Sequence, residues 1–141
     1  MSETLQYCTF YLHDFFFGIE VKNVQEVIRF QEMTPIPLAP DCVEGFINLR
    51  GQIVTAVDLR RRLSFPPRDG DKRPMNVIVD SNGEPVSLLV DQIGDVLEVE
   101  QSLFELPPDT LQGIAREVID GVYKLQGQLL LVLNITKTLT F

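Results

Sequence analysis

Gly45-Phe46-Ile47-Asn48-Leu49-Arg50-Gly51-Gln52-Ile53-Val54 returns 76 residues later as Gly121-Val122-Tyr123-Lys124-Leu125-Gln126-Gly127-Gln128-Leu129-Leu130. Both copies run on to a Phe twenty residues after their first Gly, Phe65 and Phe141. Over the 21 positions from Gly45 to Phe65 six are identical, and pairs such as Asp58/Asn134 and Leu59/Ile135 match in character. An upstream block repeats at a second spacing: Phe17 to Ile28 lies over Val86 to Leu97, 69 residues on. The seven-residue difference predicts an insertion in the second copy, placed between Thr110 and Asp120 by the echo of Pro40-Asp41 in Pro108-Asp109. Two blocks in order with a consistent gap indicate a duplicated unit.

The 141 residues suffice for one ordinary domain or two very small ones. A unit of about 70 residues has a core worth only ~3–5 kcal/mol on its own, so the halves are expected to pack on each other. Cys8 and Cys42 are too few for a disulfide framework, and one histidine leaves no metal-ligand set. These features fit a reduced, cytosolic setting with no cofactor. No basic, apolar leader opens the sequence, and the aliphatic run Leu129 to Leu133 is far too short to span a bilayer. Any membrane association is expected to come through a partner rather than by insertion.

Twenty acidic against 12 basic residues give a formal charge of −8, unsuited to nucleic acid, whose phosphates require a positive surface. Arg60-Arg61-Arg62 is the one basic cluster and reads as a solvated helical turn.

Short strands dominate the pattern. Tyr7 to Leu12 and Phe17 to Val21 flank the turn His13-Asp14, and Val77 to Val79 and Pro85 to Val90 flank Asn82-Gly83, whose residue types supply positive φ in a tight hairpin. Two further hairpins turn at Gly51 and Gly127. Asp58 and Asn134 are good helix N-caps, so Leu59 to Leu63 and Ile135 to Leu139 are expected to form one or two helical turns. Pro66 to Pro74 is polar and rich in turn formers, and reads as a linker. The fold class is therefore all-β, with two small β-barrels and short helical turns: a first barrel over about 5–66 and a second over about 74–141, with exchange of a terminal strand left open.

Catalytic chemistry finds little support. His13 sits in a hairpin turn, Cys8 reads as a small apolar filler, and Glu98 and Glu100 read as a solvated strand edge. No phosphate-cradling glycine pattern occurs. Glu26 answers to the acidic Asp95, whereas Arg50 answers to the neutral Gln126, and where the copies differ in charge one has been free to specialise. Arg50 either reaches a partner through its planar fork or holds the barrel by pairing with Glu26 or Asp58.

The run Gly45 to Leu59, preceded by Phe17 to Val21, Val24 to Ile28 and Pro35-Ile36-Pro37, closely resembles the signature of the CheW family of chemotaxis coupling proteins. The second-copy blocks resemble that family's second half, so essentially the whole chain is covered. The resemblance implies two SH3-like five-stranded barrels packed together. It implies a non-enzymatic adaptor between the cytoplasmic tip of chemoreceptors and the regulatory domain of the histidine kinase CheA, cytoplasmic but recruited to membrane receptor arrays. Receptor contact would fall on Glu26, Val27, Asn48, Leu49, Arg50 and Gly51, with Val27, Leu49 and Val54 as an apolar floor. Kinase contact would fall on Val90, Asp91 and Val96. A scaffold of another chemosensory pathway and a small ligand-binding barrel are the alternatives. Thr55 stands where the family usually has Pro, a change at a strand edge that leaves the expected binding intact.

Overall fold

A computed structural model describes residues 3–111 and 113–141. In chain order the elements are β1 Thr4–Leu12, β2 Phe15–Glu20, β3 Val24–Ile28, β4 Val43–Leu49, β5 Gln52–Asp58, α1 Leu59–Arg62, β6 Met75–Ser81, β7 Glu84–Val90, β8 Gln92–Glu100, α2 Ile114–Val118, β9 Ile119–Leu125, β10 Gln128–Leu133 and α3 Ile135–Thr138. The order β–β–β–β–β–α occurs twice, as the repeat requires. α2 is an addition to the second copy and falls inside the expected insertion; its five residues carry no distinctive periodic signal.

The strands form two five-stranded sheets, β8-β1-β2-β10-β9 and β3-β6-β7-β5-β4. Neither follows the contiguous division expected at 66 and 74. The first hairpin of each copy, β1–β2 or β6–β7, sits in the sheet built by the other copy's last three strands, so two whole hairpins are exchanged rather than one terminal strand. Connection length explains why. Within one copy the third strand would lie parallel to the second on the far side of the first, which demands a long crossover. Only the 3-10 turn Val21–Asn23 joins β2 to β3, and only Asp91 joins β7 to β8. The chain therefore passes straight into the neighbouring sheet.

Each sheet curls until its edges meet. Beyond β3 the chain reaches Thr34, which exchanges hydrogen bonds of 2.9 and 2.8 Å with Phe46 of β4; beyond β8, Glu105 does the same with Val122 of β9. These bridges explain the first glycine of the repeated motif. A Cβ on Gly45 would overlap the carbonyl oxygen of Thr34, and one on Gly121 would lie 2.5 Å from that of Glu105. The seam can close only over a bare backbone.

Among the described residues three apolar clusters form the core. The largest lies between the sheets and joins Phe10, Leu12, Phe17 and Ile19 to Val57, Val77, Val79 and Leu88. On the other face of each sheet lies a smaller cluster: Tyr7, Phe16, Tyr123 and Leu130 in one, Ile47, Val54 and Ile78 in the other. With both faces covered, strands such as Met75–Ser81 and Gln128–Leu133 carry long buried runs instead of strict alternation. Full burial of each such Leu or Phe contributes roughly 1.5–3 kcal/mol, and the shared central cluster is what holds two barrels of marginal size together.

Asp58 and Asn134 cap α1 and α3 as expected, accepting from the backbone N–H of Arg60 and Lys137. The arginine triplet is not a solvated turn. Arg62 reaches the end of α3, where its Nε donates to the Thr138 carbonyl at 2.6 Å and its Nη2 to that of Lys137 at 2.9 Å. Arg60 grips Asp91 with Nε and Nη2, and Arg61 alone remains largely in solvent. The linker is also tied down: Arg68 pairs with Asp58 at 3.2 Å and Asp91 at 3.1 Å.

Candidate functional site

The β4–β5 hairpin turns through Arg50 and Gly51, both left-handed with φ of 52° and 84°. Two consecutive positive φ values make the tight turn that matches strand twist, and the Asn48 side-chain oxygen supports it by accepting from the Gly51 N–H at 2.9 Å. Glycine takes this conformation freely; arginine does so at a cost. The second copy avoids that cost, because Gly127 is left-handed at φ 82° while Gln126 is not among the positive-φ residues.

The strained turn aims Arg50 across the seam. β3 and β4 are opposite edges of one sheet, yet Nη1 and Nη2 of Arg50 donate to the two carboxylate oxygens of Glu26 at 2.6 and 2.7 Å. Glu26 pairs in register with Ile78, a member of the inner cluster, and so stands at that cluster's edge with Arg50 over it. Of the two partners expected for Arg50, Glu26 is the one it takes. Asp58 is buried and already engaged by its cap and Arg68. The hydrogen bonds from Arg50 hold the Glu26 carboxyl below its usual range. The Arg50 side chain stays 72% exposed, so the planar face of the pair remains open to a partner.

Exposed apolar area surrounds this fork. Val27 is 37% exposed and Leu49 half-buried beside the inner cluster. Val54 is fully buried and supports the surface from below without forming its floor. Its neighbour Ile53, on the opposite face of the strand and paired in register with Asn48, is 67% exposed. β5 is exposed at Gln52 and Ile53 and largely buried from Val54 on, so no strict alternation in its sequence separates the two residues.

The kinase-side residues fare differently. Val90 is 0% exposed within the central cluster and cannot touch a partner, which removes it from the expected contact set; a core-facing valine reads in sequence like a surface one. Asp91 is the one-residue crossover between sheets and is held by Arg60, Arg68 and the backbone N–H of His13 at 2.8 Å. Burial pushes its carboxyl up, but the donors from Arg60, His13 and Arg68 outweigh that and hold it below the usual range. Val96 is 58% exposed on β8, at the position matching Val27 in the other copy. Cys42 is buried and Cys8 half-buried. Among the described residues no group of acidic, His and Cys side chains has metal-site geometry.

A duplicated pair of barrels, interlocked by hairpin exchange and carrying one prearranged polar corner amid exposed apolar side chains, defines an interaction module of the adaptor type. A model of the CheW-like domain matches residues 6–140, and the chain belongs to that family. It is 33% identical over 140 residues to the chemotaxis protein CheW of Treponema pallidum, covering 96% of this chain and 82% of that protein. It is 28% identical over 124 residues to CheW of Klebsiella aerogenes, covering 88% and 75%. The crystal structure of the scaffolding protein TtCheW from Thermoanaerobacter tengcongensis superposes with a TM-score of 0.88 at 26% identity, covering 99% of this chain and 94% of that one. The role these matches support is that of a chemotaxis coupling adaptor.

Proposed function

We propose that the corner made by β3 and the β4–β5 hairpin docks the cytoplasmic tip of a chemoreceptor, and that the chain joins that receptor to the regulatory domain of the histidine kinase CheA. The observation that carries this reading is the Arg50–Glu26 fork spanning the seam. A helix seated in a groove needs apolar area and a few fixed polar anchors. Val27, Leu49 and Ile53 offer the first; Glu26, Arg50, Asn48 and the exposed backbone at Gly51 offer the second. Because the fork is assembled before docking, the ordering cost of binding is reduced.

The adaptor works by holding its partners, without bond chemistry. A change in receptor conformation is passed on as a change in how the kinase is held against the coupler. Val96 is the kinase-side candidate on the opposite barrel. Asp91 serves from within, fixing the crossover that leads into β8. Among the described residues no helix is long and apolar enough to cross a membrane, and the receptor is what brings the chain to membrane arrays.

Titration calorimetry of the purified chain against a receptor cytoplasmic fragment, and separately against the kinase regulatory domain, tests the reading. Arg50→Ala or Glu26→Ala should weaken receptor binding roughly tenfold or more and leave kinase binding unchanged. Val96→Asp should do the reverse. Unchanged receptor affinity in both corner variants would sink the proposed docking site.

A further inference from the structure

On a chain of charge −8, four cations, Arg60, Arg68, Lys72 and Arg73, gather around one cavity of about 590 Å³ between the linker and the start of β8. The acidic residues in its wall are Asp14 and Asp91, and Asp58 and Asp69 stand beside Arg68 and Lys72. Arg60 and Arg68 are thus matched by close carboxylates, and Lys72 and Arg73 are the cations with charge to offer. Its donors are not all used. Arg68 spends Nε and Nη1 on Asp91 and Asp58, but its buried Nη2 has no hydrogen-bond partner among the described residues. A buried guanidinium N–H without an acceptor is costly, and an oxygen brought to it removes that cost. Lys72 has its carboxylate neighbour Asp69 only at 3.9 Å, with both side chains more than 70% exposed. Arg73 lies over the Phe30 ring at 4.9 Å and pairs with no carboxylate among the described residues.

From this arrangement we infer that the cavity binds the phosphate group of a small molecule. Lys72, only loosely neighboured by Asp69, and Arg73 offer two charges to a dianion, whereas the carboxylate that Arg60 and Arg68 require is already supplied by Asp91. Phosphate oxygens accept from a guanidinium fork and an ammonium together, which a wall of three arginines and a lysine provides. The volume is within the range of small-molecule sites, about 300–1,000 Å³, and exceeds what a bare phosphate fills. Tyr11 and His13, on the exchanged β1–β2 hairpin, give the remainder of the ligand an aromatic wall. A phosphate held there ties the linker to that hairpin.

The probe is pyrophosphate, titrated calorimetrically into the intact chain at constant ionic strength, with the unfolding temperature followed in parallel. Binding and a rise in unfolding temperature are expected. Replacing the two exposed linker cations together, Lys72→Ala with Arg73→Ala, should weaken binding roughly tenfold or more, while Lys22→Ala, which removes an exposed charge elsewhere, should not. Absence of binding, or equal weakening by Lys22→Ala, overturns the inference. Sedimentation with phosphatidylcholine vesicles containing phosphatidic acid identifies the source. Co-sedimentation that the double variant abolishes assigns the phosphate to a lipid headgroup; a chain that binds pyrophosphate and stays in the supernatant assigns it to a soluble molecule.

Discussion

Arg62 and Thr138 occupy the same position in the two copies of the repeat, and they are bonded to each other: Arg62 Nε donates to the Thr138 carbonyl at 2.6 Å. Nη2 adds Lys137 and Thr140 at 2.9 and 3.1 Å. A cation thus meets three carbonyls at the C-terminal end of α3, where partial negative charge accumulates. Arg62→Ala should cost roughly 1–3 kcal/mol, measured as a lower urea midpoint with an unchanged denaturant slope. Arg62→Lys should recover only part, because an ammonium cannot reproduce the fork. A full recovery by Lys would leave charge, not geometry, as the stabilising feature.

Asp91 faces Arg60, Arg68 and the His13 N–H, with its side chain 18% exposed. Asp91→Ala leaves the half-buried Arg60 without its carboxylate and Arg68 with Asp58 alone, and should destabilise by roughly 2–4 kcal/mol. The folded carboxyl titrates below its unfolded value, so its contribution is complete above about pH 4 and is lost as pH falls through the lower, folded value. Denaturation midpoints taken from about pH 6 down to about pH 3 should drop less steeply in Asp91→Asn than in the parent chain. An identical pH dependence would show that Asp91 is not the group being protonated. Glu26 is shifted the same way, and Arg50→Ala should return its carboxyl toward the ordinary range, as read by NMR titration.

The two glycines of each repeated motif should respond differently to alanine. At Gly121 a Cβ meets the Glu105 carbonyl and the Phe104 ring, so Gly121→Ala must open the seam and should cost roughly 2–4 kcal/mol. At Gly127 the added Cβ has nothing within 4 Å, and only the left-handed backbone resists, at about 1–2 kcal/mol. Thermal unfolding of the pair checks the ranking; equal losses would place the seam's tolerance elsewhere.

Arg50 offers a separation of folding from docking. Its φ of 52° suits glycine better than arginine, so Arg50→Gly should not lower the unfolding temperature even though the pair with Glu26 is gone. The same variant should lose most affinity for the receptor fragment. If it unfolds earlier, the fork is part of the scaffold and its docking role must be measured in Arg50→Lys instead.

Much of this was legible in residue order. The hairpins were readable because Asn82-Gly83 and the glycines at 51 and 127 impose turn chemistry locally, and Asp58 and Asn134 announced their helices for the same reason. Comparing the copies also singled out Arg50, since its difference in charge from Gln126 is visible without coordinates. Val90 and Val54 show the limit. Both faces of these sheets are covered, so alternation no longer separates a core valine from a surface one, and exposed Ile53 could not be told from buried Val54.

The sequence by itself determined the repeat, its strands and its turns, because these depend on backbone preferences spanning a few residues. Which copy's hairpin completes which sheet was decided only in three dimensions. There the three-residue and one-residue links after β2 and β7 are too short to return the chain to its own sheet. The same closure brings Glu26 and Arg50 from opposite sheet edges into one fork, sets Arg60 and Arg68 on Asp91, and leaves Gly45 and Gly121 beneath the seam. Contacts between residues tens of positions apart follow from how the sheets curl and meet, and no local pattern encodes them.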